Sequence, residues 1–314
     1  MNTNNQLPYV WYRDGKNNKS LPDILESEYD TIKELLLKHG AVLFKSFGID
    51  DPQKLEACVN AFPGAPLNYA GGNSPRINVK GKVYTSTEHP ATEHISLHNE
   101  LSYANQWPQY IFFCCQTPAL EGGNTSIANS RAILKGLSDN VKKAFSDKKV
   151  LYIRNLHGGY GAGPSWQNTF ETKNKKEVEL HCQANDIQYQ WDEDDNLKLI
   201  EKRDGIRIHP ETNEAVWFNQ ADQFHPSTND SEVYEALMEI YEEDLHAMPQ
   251  YVCFEDNSEI PLDMLEEIRT VGHQNTVLFD WEKGDMILLD NVLTAHGRTS
   301  FKGPRKILVS MSVN

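Results

Sequence analysis

Strand-forming segments crowd into two stretches of this chain, residues 76–130 and 205–314, with helical patterns before and between them. That grouping fits one β-rich domain, a sandwich or barrel decorated by helices, better than alternating βαβ units. The C-terminal stretch supplies "TVLFDW", "GDMILLDN" and "PRKILVSMSV", punctuated by turns at Gly284-Asp285 and Gly303-Pro304. Residues 28–48 read as an amphipathic helix stopped by Gly40 and followed by a strand. Asp51-Pro52 then reads as an N-cap and first-turn proline opening a helix through about Phe62. "SRAILKGLSDNVKKAF" and "SEVYEALMEIYEEDLHAM" space their apolar residues as helices do.

Residues 158–202, with "GGYGAGPSW" and "WDEDDN", are the least regular part. A lid or binding loop is one reading of such a segment, and disorder is the other. The expected organisation is a single domain over residues 1–314, with 158–202 as a lid or insert.

Charge and composition narrow the function classes. A net charge of −15 argues against general nucleic-acid binding, which needs cationic footprints. No apolar run approaches the roughly 20 residues of a membrane helix. The first residues, "MNTNNQLPYVWYRDGKNNKS", lack a secretion signal's basic start and apolar run, so a cytoplasmic protein is expected. The five cysteines (58, 114, 115, 182 and 253) show no CxxC spacing, which disfavours a disulfide framework or a zinc knuckle.

The chemistry concentrates in "SLHNELSY". Side chains at i and i+2 of a strand share a face, so His98 and Glu100 would project together. Chance on a solvated strand is one explanation; a shared metal ion is the other. A third ligand must then come from elsewhere, and His296 in "LLDNVLTAHGR" is the best candidate, 196 residues after Glu100. Two histidines and one carboxylate on one face of an octahedron leave three adjacent positions open, the pattern of non-haem Fe(II) oxygenases. A zinc hydrolase uses similar ligands, but its helical HExxH spacing is absent. Arg305, nine residues beyond His296, is polar within an apolar run, and would either grip a carboxylate bidentately or point to solvent.

Taken in order, "LHNELSY", "EGGNTSIANSRAIL", "VLYIRN", "HPETNEAVWFNQ", "GDMILLDNVLTAHGR" and "FKGPRKILVSM" resemble the TauD/TfdA (taurine dioxygenase-like) family of Fe(II)/2-oxoglutarate-dependent dioxygenases. Within it the likeness is to the syringomycin-biosynthesis hydroxylase (SyrP-like) subgroup, over residues 30–314. The resemblance implies a mainly β fold with flanking helices, a double-stranded β-helix or jelly roll of clavaminate synthase-like form. It implies Fe(II) held by His98, Glu100 and His296, with 2-oxoglutarate and O2 as co-substrates. Arg305 would bind the distal carboxylate of 2-oxoglutarate, and Thr125 would donate its hydroxyl to the same group. Glu100 stands where the parent family has aspartate. Halogenases of this fold carry a small residue there, so halogenation is not expected.

The implied reaction is hydroxylation of an unactivated C–H bond, often the β-carbon, in an amino acid or derivative of natural-product biosynthesis. Desaturation or epoxidation would use the same iron site. A tether to a peptidyl carrier protein would need a local basic patch, for which Lys142, Lys143, Lys148, Lys149 and the run 173–176 are candidates; solvated helix charge is the other reading. A non-catalytic ligand-binding β-barrel is the reading from another class. Substrate contacts are sought at Thr85, Thr87, Tyr103, Asn219 and Arg298, with Trp217 sharing a face with Asn219. Ordinary strand or core packing is the competing role for the others, whereas Arg298 competes with Arg305 for the distal carboxylate of 2-oxoglutarate.

Overall fold

The computed structural model describes residues 7–15, 19–66, 78–86 and 89–313. Its frame is two stacked sheets. The larger runs Tyr9–Tyr12, Ala41–Lys45, Met286–Asp290, Tyr110–Thr117, Lys306–Val313, Val83–Thr85, Asn78–Lys80, with Ala65–Pro66 paired to the end of Lys306–Val313. The smaller runs Thr276–Phe279, Thr125–Asn129, Thr294–Arg298, Ile95–His98. Pairing is antiparallel throughout both, apart from Tyr9–Tyr12 against Ala41–Lys45. This is the jelly roll expected from the sequence.

The central strands are apolar on both faces because both faces are buried. Along Tyr110–Thr117, Ile111, Phe113 and Cys115 point into the core between the sheets. Tyr110, Phe112 and Cys114 point the other way, under the helices Leu21–Ser27, Tyr29–His39 and Pro52–Ala61. Ala41–Lys45 and Met286–Asp290 alternate in the same manner. Period-two side-chain alternation thus splits one apolar run between two cores. Each fully buried Phe or Leu in these runs contributes about 1.5–3 kcal/mol of transfer free energy. All five cysteines are buried free thiols, Cys58, Cys114 and Cys115 of them in these two cores, and burial pushes Cys58 up to about 12.

Local signals set the helix ends. Gly40 adopts φ 81° and closes Tyr29–His39, a left-handed cap that suits glycine. Asp51 accepts a bond from the Lys54 amide and Pro52 occupies the first turn of Pro52–Ala61. "SRAILKGLSDNVKKAF" forms two helices, Ser130–Gly136 and Asp139–Asp147, because Ser138 caps a second start.

Two expectations are corrected. Residues 158–202 are not irregular: they hold the helices Trp166–Phe170 and Lys175–Ala184 and the strands Gln188–Trp191 and Leu197–Arg203. The acidic "WDEDDN" is the turn of that hairpin, where the Asp192 carboxylate accepts the amides of Asp194 and Asn196. The hairpin joins Val150–Leu156 and Gln250–Phe254 in a separate four-stranded sheet with its own apolar cluster around Trp166, Phe170 and Cys182. The strand-rich stretch 205–314 also contains a long helix, Leu262–Gln274, whose Leu265, Ile268, Val271 and Gly272 face the core. Among the described residues no helix is long and apolar enough to cross a membrane.

Candidate active site

The smaller sheet brings the two histidines side by side. His296 on Thr294–Arg298 is the register partner of His98 on Ile95–His98, and the ring centroids lie 4.4 Å apart. Glu100 reaches the same point by another route. The strand stops at His98, and Glu100 sits in the turn after it, followed by Leu101 at φ 54°. The structure thus brings together the two residues that the same-face strand argument paired, although only one of them lies in the strand. Glu100 Oε2 is 3.9 Å from His98 Nε2 and 3.7 Å from His296 Nε2. One ligand atom from each of the three lies within 4.8 Å of the others, and all three residues are buried.

That donor set fits a divalent ion. His98 Nδ1 donates to the Ser96 carbonyl at 3.0 Å, which leaves its Nε2 lone pair on the Glu100 side. A carboxylate enclosed at 3% exposure needs a cation close by, and two neutral imidazoles plus a metal supply that better than imidazoles alone. His296 Nδ1 is enclosed and meets no acceptor among the described residues.

Asn291 fixes the turn that carries Glu100. Its Oδ1 accepts the Glu100 amide at 2.8 Å, while its Nδ2 donates to the carbonyls of Glu100 and Pro108. Asn99, pointing away from the ligands, donates to the Asn291 carbonyl and to Ser130 Oγ. Sequence reasoning passed over Asn291. Its signal was a second polar residue after Asp290 at the close of the apolar run "MILL", where a buried polar group must be hydrogen-bonded.

Arg305 stands just before the last strand. Its Nε donates to the Gly123 carbonyl at 2.9 Å, and its Nη atoms bond no described residue. Gly123 has φ 69°, and a Cβ there would meet Arg305 Cδ at 2.9 Å, so glycine makes room for the guanidinium. Burial first, then the neighbouring Arg298, brings Arg305 down to about 10. Two guanidinia over one ring, with Phe301 5.1 Å from Arg298 and 5.6 Å from Arg305, make a place suited to an anion. Thr125 is buried opposite Arg298 in register, and its Oγ1 accepts from Trp281 Nε1 at 2.9 Å, which keeps its own hydroxyl proton available to donate.

A cavity of about 370 Å³ opens over the ligands, lined by His98, Glu100, Tyr103, Gln220, Gln223 and Gln250 among others. Of the substrate candidates, Tyr103 lines it, with the Arg154 guanidinium 5.1 Å from its ring. Arg298 does not: its Nη atoms donate to the carbonyls of His89, Pro90 and Glu93, so it braces the loop at the cavity's rim. Thr85 pairs with Leu308 in the larger sheet, away from the cavity walls. Thr87 lies outside the described residues. Asn219 donates to the Gly205 carbonyl and accepts the Ala221 amide, and Trp217 packs on Phe145 at 4.8 Å. Both face a smaller cavity of about 40 Å³ behind His98 rather than the one over the ligands.

Asp222 also lines that small cavity, and burial pushes its carboxyl up to about 6. A carboxyl whose folded pKa is raised above its usual 3.8 favours the folded state below both values. That advantage is lost as pH rises through about 6. Asp222→Asn is therefore expected to leave stability unchanged near pH 4 and to raise it by on the order of 3 kcal/mol at pH 8. Urea unfolding at the two pH values checks this; an equal effect at both would contradict it.

The fold and donor set together define a mononuclear non-haem metal oxygenase scaffold. The profile of the family described as "Taurine catabolism dioxygenase TauD, TfdA family" matches residues 4–311, so the chain belongs to that family. It is an Fe(II)- and 2-oxoglutarate-dependent oxygenase that uses O2. Among curated proteins it is similar to the dapdiamide synthesis protein DdaC of Enterobacter agglomerans, 33% identical over 280 residues, covering 89% of this chain and 84% of that one. It is also similar to a clavaminate synthase-like protein of Arabidopsis thaliana, 27% identical over 297 residues, covering 91% and 86%. Among solved structures, a taurine dioxygenase from Burkholderia xenovorans shares the fold with a TM-score of 0.56 at 18% identity, covering 98% of this chain and 86% of that one.

Proposed function

We propose that this enzyme hydroxylates an unactivated C–H bond, often the β-carbon in the subgroup it resembles, of an amino acid or amino-acid derivative in natural-product biosynthesis. The observation that carries the reading is the His98–Glu100–His296 cluster at the floor of a cavity walled by side-chain amides. The 33% identity to a protein of dapdiamide synthesis supports a biosynthetic setting, as does the resemblance to the SyrP-like subgroup. In this reading His98, Glu100 and His296 hold Fe(II), while Arg305 and Thr125 hold the distal carboxylate of 2-oxoglutarate. When bound, the iron with 2-oxoglutarate and O2 supplies the oxidising power for the C–H bond. The protein's own work is placement: Asn291 sets Glu100, the Ser96 carbonyl sets the His98 tautomer, and Gly123 sets Arg305. Hydroxylation, desaturation and epoxidation make the same demands on these residues, and product analysis separates them.

A carrier-tethered substrate gains little support from the charge layout. Lys142, Lys143, Lys148 and Lys149 are each within ion-pair distance of Asp139, Asp147, Asp256 and Asp204 respectively. Lys175 is likewise engaged by Asp195. Residues 158–202, through Pro164 at the cavity, would serve as a wall or lid of a single domain. The test is succinate formation from 2-oxoglutarate with free amino acids, their amides and their pantetheine thioesters, against the substrate-free rate. Stimulation is expected from amino-acid compounds; a response confined to sulfonates or nitrogen-free acids would refute the proposal. Arg305→Ala is expected to raise the KM for 2-oxoglutarate about 10–100-fold, the worth of one charged hydrogen-bonding pair. An unchanged KM would remove Arg305 from the co-substrate site.

A further inference from the structure

We propose that Gln220 and Gln223 form an acceptor pair that receives the substrate's amino nitrogen as an ammonium group. The inference rests on the amino-acid reading above and adds the residues that enforce it.

The two glutamines stand three apart at one helical turn, Gln220 as N-cap and Gln223 within Ala221–Phe224, so their side chains share a face. Both line the cavity over the metal ligands. Their amide orientations are fixed by what they touch. Gln220 Nε2 donates to the Asn99 carbonyl at 2.7 Å. Gln223 Nε2 donates to the Ser96 carbonyl at 3.0 Å and to Ser96 Oγ at 2.9 Å. A backbone carbonyl can only accept, so each side chain must present its NH2 to the protein. Each Oε1 is then the end left over. Neither Oε1 accepts a bond from the described residues, and both side chains line the cavity although Gln220 is only 4% exposed.

The cavity therefore shows two fixed carbonyl oxygens to whatever enters. Glu100 is taken up by the metal in this reading, so the formal charge left among the described lining residues is that of Glu93, 3.7 Å from His89. An electron-rich wall of this kind favours a cation that donates hydrogen bonds, and an ammonium group offers three donors. Because the amides are already anchored, little ordering is lost when a ligand binds. The anchors matter for position too. Asn99 lies between the two ligands His98 and Glu100, and the Ser96 carbonyl also accepts His98 Nδ1. The groups that grip the nitrogen are thus referenced to the backbone that places the metal ligands.

The test uses the holoenzyme with Fe(II), 2-oxoglutarate and O2, and compares amino acids and their methyl esters with des-amino acids and esters of the same skeleton. Succinate formation above the substrate-free rate gives KM for each compound. The expected result is a KM about 10–100-fold lower for the amine of each pair, a ratio that falls toward one in Gln220→Leu and Gln223→Leu. Equal KM values for amine and des-amino partners in the wild type would overturn the proposal, as would a ratio unchanged in both variants. Should the leucine variants fail to fold, the longer, near-isosteric Gln220→Met and Gln223→Met are measured in their place, with the same loss of the amine preference expected and an unchanged ratio overturning the proposal. Absence of any response to amino compounds, with a response to other acids, would instead strike the amino-acid reading itself.

Discussion

Glu100→Ala is expected to lower 2-oxoglutarate turnover by at least about 100-fold, more than the 10–100-fold typical of losing a group that only orients a metal ligand. The same change removes a carboxylate buried at 3% exposure, so the metal-free variant is expected to unfold no more easily than the metal-free wild type. Added Fe(II) should stabilise the wild type and not the variant. Anaerobic titration with Fe(II) and 2-oxoglutarate, followed in the visible region and by thermal unfolding, reads both effects. A variant that keeps the metal-induced rise in Tm would mean that Glu100 does not bind the ion.

The second large effect lies away from the metal. Arg154, Glu201 and Arg203 form a buried cluster on the four-stranded sheet, with Arg154 2.7 Å and Arg203 3.2 Å from the Glu201 carboxylate. All three are at most 6% exposed. Glu201→Ala strands two guanidinia in the interior and is expected to cost about 3–5 kcal/mol. Arg154 also stands over Tyr103, so the cavity wall is expected to loosen with it. Replacing all three by apolar residues of similar size should recover most of the loss, because the pairing barely repays its desolvation. Denaturant unfolding of the single and triple variants tests the claim; a single variant as stable as the wild type would refute it.

A β-rich sandwich or barrel was legible because both-face burial writes itself as apolar runs, as in "YIFFCC" and "MILL", and the family resemblance narrowed it to a jelly roll. The three residues of the candidate metal site were named from the HxE pair together with the family resemblance, and Glu100 lies beyond the strand's end. The hairpin Gln188–Trp191/Leu197–Arg203 was not, since its elements are short and its turn is a run of acids that looks like solvated coil. Leu262–Gln274 was missed within a region weighted toward strands, despite apolar residues at helical spacing. The polar wall of the cavity was the least readable part. "NQADQ" follows an aromatic strand and resembles any surface turn; its meaning depends on Asn99 and Ser96, more than 120 residues earlier in the chain.

The facing of His98 and His296 limits how the chain can change length. Side chains alternate along a strand, so one residue gained or lost before His296 would present Ala295 or Gly297 in its place. The turn ahead of it has no slack: Asp290 accepts the amides of Val292 and Leu293 and is itself held by Gln109 and His209. Insertions and deletions should therefore accumulate downstream of Arg298, where the two-residue strand Phe301–Lys302, paired with Glu121–Gly122, leads out to Arg305. Drift among descendants of this sequence would then alter the reach to the co-substrate's far end while the imidazole pair stayed in step.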